Sequence, residues 1–245
     1  MSDVATKPAD SGSAPAPAVP KKYGFSALLT GLARMWRGTA PALIVIIVNA
    51  IVQAVLVFWN AGVGLNAPFI ISFIISLAVL LVSFAVLSRT ALEAVDGKVS
   101  LSGAMSSTTP ILGNFVLWAV VLFVLVTIGF MIYPFLGLLV AWLLAFLAPA
   151  AADGQRNAIG ANFRALKDRW GRWLITSILL TIGGLIMFLL MAVNVFFIHG
   201  FMASLIGWLV LGLVAWWLLT AWSAIYRSTK VGAAGGADAA PADGD

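Results

Sequence analysis

Residues 153–173, DGQRNAIGANFRALKDRWGRW, decide how the whole chain is read. This is the densest charge cluster in a sequence otherwise almost free of charge. As a helix, it places Ile159, Phe163, Leu166, Trp170 and Trp173 on one side, at alternating spacings of four and three. Arg156, Arg164, Lys167, Asp168 and Arg172 crowd the other side. Basic groups opposite bulky apolar ones mark a helix lying in a membrane–water interface, and such a helix is predicted at 157–171.

The sequence on either side supports that setting. The chain is 62% hydrophobic and 9% charged, with a mean hydropathy of +1.06. Soluble domains carry roughly 25% charged residues, which excludes that class. No cysteine is present, so disulfides, thiolate metal sites and cysteine nucleophiles are excluded. One histidine, His199, is too few for a histidine metal cluster or a catalytic dyad. The net charge of +5 sits at the ends of apolar blocks, where it fixes topology and meets anionic headgroups. No nucleic-acid partner is expected.

Three charge-free blocks follow one another: 38–88, 99–152 and 173–226. The first is interrupted by NAGVGLNAP at 60–68, the second by Pro134, and the third near His199-Gly200. Each block is long enough for two spans of about 20 residues. The spans are expected at about 41–59, 68–88, 113–133, 135–152, 174–196 and 201–226, with Pro149 near the end of the fourth. The fold class is therefore all-α: a polytopic membrane protein of six transmembrane helices in three hairpins, with interfacial amphipathic helices. Residues 23–37, YGFSALLTGLARMWR, form a second interfacial candidate, and 99–112 is too polar to span and reads as a short interfacial or loop segment. The tails at 1–22 and 229–245 have the composition of disordered segments. Lys and Arg gather at hairpin bases and in the tails, which places both termini and the charged loops in the cytoplasm.

An internal similarity links two hairpins. Asp96-Gly97 and Asp153-Gly154 both open a DG-x5-GA pattern that leads through a short segment to a span. Duplication of a hairpin with its leading segment and coincidence in low-complexity sequence are both open readings.

Candidate chemistry is sparse. The spans hold no Asp, Glu, Lys, Arg or His, the usual marks of proton relays and ion paths. Asn49, Gln53 and Asn194 are candidates for a polar lining, or for interhelical hydrogen bonds. Gly129, Gly137, Gly183 and Gly184 read as hinge positions or as close-packing positions. Glu93 and Asp96, flanked by Arg89 and Lys98, read as a solvated charged loop. Arg156, Arg164, Lys167, Arg169 and Arg172 form the basic patch, a candidate site for anionic lipid headgroups or a partner protein. No phosphate-binding loop, nucleophile elbow or zinc motif occurs, and no cofactor is expected.

The amphipathic lead-in, the hairpin, and a loop such as that at 160–174 entering a span resemble a broad group of six-span bacterial proteins. These are related to the membrane domain attached to some glycerophosphodiester phosphodiesterases. The resemblance implies a polytopic protein of the bacterial cytoplasmic membrane. The catalytic domain of those enzymes is absent, so it implies no enzymatic activity. The Ala/Gly-rich tails and Arg-weighted charge also look bacterial. The expected function is a non-enzymatic accessory or scaffold role in envelope or lipid homeostasis. The alternative is a permease-like transport subunit for a neutral or lipidic solute. The expected partners are membrane lipids, anionic on the cytoplasmic face, with a membrane-protein partner or a second copy of the chain.

Overall fold

A computed structural model describes residues 36–59, 66–97, 99–197 and 200–238. All regular structure among them is helical. A 3-10 turn at Trp36–Gly38 leads into α1 (Thr39–Trp59), followed by α2 (Ala67–Asp96), α3 (Leu101–Thr108) and α4 (Leu112–Ile132). Next come α5 (Pro134–Leu143), α6 (Leu147–Ala152), α7 (Ala158–Asp168), α8 (Trp170–Phe197), α9 (Gly200–Arg227) and α10 (Lys230–Asp238).

Five segments are long and apolar enough to cross a membrane: Trp36–Val57, Ala67–Asp96, Leu101–Ile132, Pro134–Ala152 and Gly200–Arg227. Helix α8 runs for 28 residues, and its apolar character is described over Trp170–Ile186. Apolar side chains such as Val48, Phe73, Ile74, Leu117 and Leu185 face outward. Water-soluble monomers rarely expose so much contiguous apolar surface. The chain is all-α, with the several long apolar helices of a multi-pass membrane protein.

Two packed regions organise it. In one, α1, α2 and α9 meet through Ala42, Ile46, Leu87, Ala91, Trp216 and Leu219. In the other, Phe115 and Ala119 of α4, Leu147 and Ala151 of α6, and Ala158 and Ala165 of α7 share a core with Tyr226. Alanines let helix backbones approach closely, which is how association works where lipid removes the hydrophobic drive between helices. At the α4–α5 turn, a Cβ on Gly129 would lie 2.8 Å from the Cα of Gly137, so this pair serves close packing. Helix α8 continues unbroken through Gly183 and Gly184, so neither marks unwound backbone.

Several expectations change in detail. Helix α2 runs past the expected end at 88 to Asp96, carrying Arg89 and Glu93 on a continuous helix. Asn66 caps its start, with its side chain accepting from Phe69 N at 2.9 Å. The segment at 99–112 is helical, with Ser100 capping α3 through Gly103 N at 3.0 Å. The expected span at 135–152 is two helices broken at 144–146. Pro149 accounts for the break: it has no N–H to offer the carbonyl of Ala145, and its ring crowds that carbonyl. The C-terminal segment expected to be a disordered tail contains helix α10. The expected N-terminal tail, most of the interfacial helix at 23–37, Lys98, His199 and 239–245 lie outside the described residues.

Candidate functional site

The ionisable groups collect where three helices end. Helices α2, α6 and α9 have their C-termini at Asp96, Ala152 and Arg227, and a DG turn follows each of the first two. Gly97 and Gly154 take the left-handed conformation there, with φ of +86° and +79°. Gly97 N donates to Glu93 O. Gln155 N donates to Ala150 O at 3.1 Å, closing the turn around Gly154.

Both turns present their aspartate to one guanidinium. Arg227 Nη1 donates to Asp153 Oδ1 at 2.6 Å, and Nη2 donates to Asp96 Oδ2 at 2.9 Å. Nη1 also donates to Gly232 O at 2.9 Å, which ties down the start of α10. Tyr226 Oη donates to Asp153 Oδ2 at 3.2 Å. The side chains of Arg227 and Asp153 are 7% and 1% exposed, that of Asp96 36%. Burial pushes the Asp153 carboxyl above its ordinary value of 3.8, while the Arg227 charge and the Arg227 and Tyr226 hydrogen bonds oppose that rise. Asp96 is thus the part-exposed end of this network, paired with Arg227 at the last residue of α2.

A second polar group joins the same end of the bundle. Arg89 Nε lies 3.3 Å from Glu93 Oε1 and donates to Ser107 Oγ at 3.1 Å. Ser107 Oγ donates to Glu93 Oε1 at 2.7 Å, and Arg89 Nη1 donates to Ala152 O at 3.1 Å. Glu93, too, is engaged within the fold. Among the described residues, no group of three or more His, Asp or Glu side chains is placed to hold a metal ion.

Helix α7 joins this network to the break in the fourth apolar segment. Its Asn162 accepts from Phe146 N at 2.9 Å and donates through Nδ2 to Leu143 O at 2.8 Å. One buried amide thus satisfies a donor and an acceptor that the break between α5 and α6 releases. Trp173 Nε1 donates to Trp142 O at 2.7 Å beside it. The face of α7 turned inward is Ala158, Ala161, Asn162, Ala165 and Leu166. The expected apolar face divides: Leu166 and Trp173 are buried, while Phe163 and Trp170 are 46% and 60% exposed.

The five residues of the basic patch separate by role. Arg169 donates through Nε and Nη2 to Ser228 O, at 3.2 and 2.9 Å. Arg172 Nη1 donates to Ser228 Oγ at 3.1 Å. These two fasten the α7–α8 junction to the end of α9. Arg156, Arg164 and Lys167 are exposed. The backbone carbonyl of Arg156 accepts from Trp118 Nε1 at 3.2 Å.

The polar-lining candidates do not form one site. Gln53 bonds Ser76 twice: its Nε2 donates to Ser76 O at 3.0 Å, and Ser76 Oγ donates to its Oε1 at 2.5 Å. This is an interhelical clasp between α1 and α2. Asn49, one turn earlier on α1, is buried, and its Oδ1 has no hydrogen-bond partner among the described residues. Asn194 lies where the structure describes only the backbone of α8. Phe84, Phe115, Trp118 and Leu147 line an apolar dimple with no room for an enclosed water.

Sequence reasoning missed Arg227 and Asn162. The DG-x5-GA similarity was the signal for the first, because it marked Asp96 and Asp153 as equivalents that share a partner. For the second, Pro149 was the signal that backbone groups near Ala145 needed one.

No family model matches the chain, and neither a curated protein nor a solved structure matches it.

Proposed function

We propose that this chain is a non-enzymatic, six-span accessory or scaffold protein of a bacterial cytoplasmic membrane, acting in envelope or lipid homeostasis. The observation that carries this reading is how the few ionisable groups are used. Asp96, Asp153, Arg227, Arg89 and Glu93 bond one another and nearby backbone at helix ends, and none of them lines a path between helices. Ionisable groups spent on an internal network suit a protein whose work lies on its surface. The sixth span is α8, a helix of 28 residues, more than the roughly 20 needed to cross. Clustered Lys and Arg at one end support cytoplasmic termini. The resemblance of 160–174 to the phosphodiesterase-linked membrane domains is what points to lipid or envelope.

The permease-like reading rests on one observation, the buried Oδ1 of Asn49, which has no partner among the described residues. Native mass spectrometry of the tagged chain, extracted in mild detergent from its own membranes, separates the two. Copurification without an ATPase or transporter subunit is expected, and a stoichiometric ATPase would overturn the scaffold reading. Cysteine labelling at Gly62→Cys and His199→Cys tests the topology. Both positions should react only from outside the cell.

A further inference from the structure

Helix α7 has an inner face that is fully used and an outer flank that is not. Ala158, Ala161, Asn162 and Ala165 are buried against the fold. Phe163, Arg164 and Lys167 are exposed on the opposite side. Only Arg169 separates α7 from α8, and Trp170, at the first position of α8, continues the exposed apolar surface. Apolar and basic groups therefore stand together where the chain turns into a long apolar helix.

The neighbouring acids are engaged with other partners. Asp96 and Asp153 are held by Arg227, and Glu93 by Arg89 and Ser107. Asp168 accepts from Lys230 N at 3.1 Å and lies 4.0 Å from Arg169. Each of these acids bonds a partner other than Arg164 or Lys167, and those two basic side chains are exposed.

We propose that the outer flank of α7 and the first turn of α8 form a docking surface for anionic lipid headgroups. Phe163 and Trp170 enter the apolar layer, and Arg164 and Lys167 meet the phosphates. Basic groups beside Phe and Trp on an amphipathic helix are what such a surface requires. Arg169 and Arg172 are not part of it, since their guanidinium groups hold Ser228. The inference deepens the scaffold reading by naming the lipid class that its surface engages.

The absence of native cysteine makes a site-specific test direct. A Cβ at Gly171 meets nothing within 4 Å, so Gly171→Cys adds a spin label in open space beside Trp170. The full chain is placed in nanodiscs of phosphatidylcholine, with or without phosphatidylglycerol. Phosphatidylglycerol should raise the label's collisions with oxygen and lower those with a water-soluble nickel complex. Arg164→Gln/Lys167→Gln should abolish that response and reduce the preference for retained phosphatidylglycerol by about fivefold per charge. Label accessibility that is the same in both lipids overturns the proposal. So does protection from both reagents, which signals a protein surface covering the flank. Either result leaves the scaffold reading standing if no ATPase copurifies, whereas a copurifying ATPase sinks that reading without touching the lipid response. Circular dichroism of the double variant checks that its helices are retained.

Discussion

The two DG turns are built alike and embedded differently. Each follows the end of a helix, each has its glycine at positive φ, and each leads to a capped short helix. Ser100 caps α3 through Gly103 N, and Asn157 caps α7 through Gly160 N, at the same place in the DG-x5-GA pattern. Ala104 and Ala161, the last residues of the pattern, are both fully buried. Beyond those positions the copies part. Asp96 is more than a third exposed, and its helix α3 is short and polar. Asp153 is enclosed, and its helix α7 plugs a break in a neighbouring segment. The same local grammar has produced one peripheral turn and one central one, so burial, more than the motif, sets how much each aspartate matters.

Arg227 is the residue common to both. An acid at a helix C-terminus faces the negative end of the dipole, and a cation there is favoured. Three C-termini and two carboxylates would repel one another without the guanidinium between them. Arg227→Met should therefore be the most damaging single change, costing about 3–5 kcal/mol because it leaves a carboxylate buried and unpaired. Unfolding titrations in mixed detergent micelles would measure it. The loss should depend on pH. Burial raises Asp153 above 3.8, so the folded state binds the extra proton, and this contribution favours folding at the acid end and is lost as pH rises through the raised value. Removing Arg227 removes the largest opposing cause and extends that window upward. The variant should thus recover part of its deficit as pH falls from neutral towards 3.8, and adding Asp153→Asn should flatten the dependence.

The next contrast lies one residue beyond each GA. Asn162 is buried and bonds Phe146 N and Leu143 O, whereas its counterpart Met105 is exposed. Asn162→Leu strands one donor and one acceptor, at about 1–3 kcal/mol for each buried group, so a loss of about 2–4 kcal/mol is expected. Met105→Ala should be nearly silent in the same unfolding assay. Equal effects at the two positions would mean that α7 is no more embedded than α3.

The aspartates themselves come next. Asp153→Asn gives up a charge-assisted bond in an enclosed site and should cost about 2 kcal/mol. Asp96→Asn loses a pair that water already screens, and should stay below about 1 kcal/mol. A double-mutant comparison, each with and without Arg227→Met, would show which carboxylate Arg227 holds more strongly. Stronger coupling to Asp96 would reverse the assignment of centre and periphery.

How much of this the sequence disclosed depended on distance along the chain. Long apolar runs announce themselves locally, so the helices appeared close to where expected, and the caps at Asn66 and Asn157 are visible in residue type. Arg227 carries no local sign of its role, because its partners lie 74 and 131 positions away. The basic patch was legible as a cluster. Its division into fastening residues, Arg169 and Arg172, and exposed ones, Arg164 and Lys167, depends on where Ser228 arrives in space. Helix α7 misled for a different reason. Large apolar side chains dominate any periodicity, but its buried face is mostly alanine, because close backbone approach selects small residues.

The smallest expected effects probe what the two turns share. Gly97 and Gly154 both sit at φ near +80°, and a Cβ at either would meet only ordinary contacts, Arg37 Nη1 at 3.8 Å and Ile111 Cγ2 at 3.6 Å. Neither alanine variant is penalised by crowding, so each reports the left-handed backbone alone, at about 1 kcal/mol. Gly97→Ala and Gly154→Ala should therefore cost the same, although their neighbouring aspartates differ in burial. Matched losses in the unfolding assay would separate backbone geometry, common to both copies, from the electrostatics that distinguish them. A markedly larger loss at Gly154 would show that its turn holds α7 against the α5–α6 break, making backbone and charge one cooperative unit.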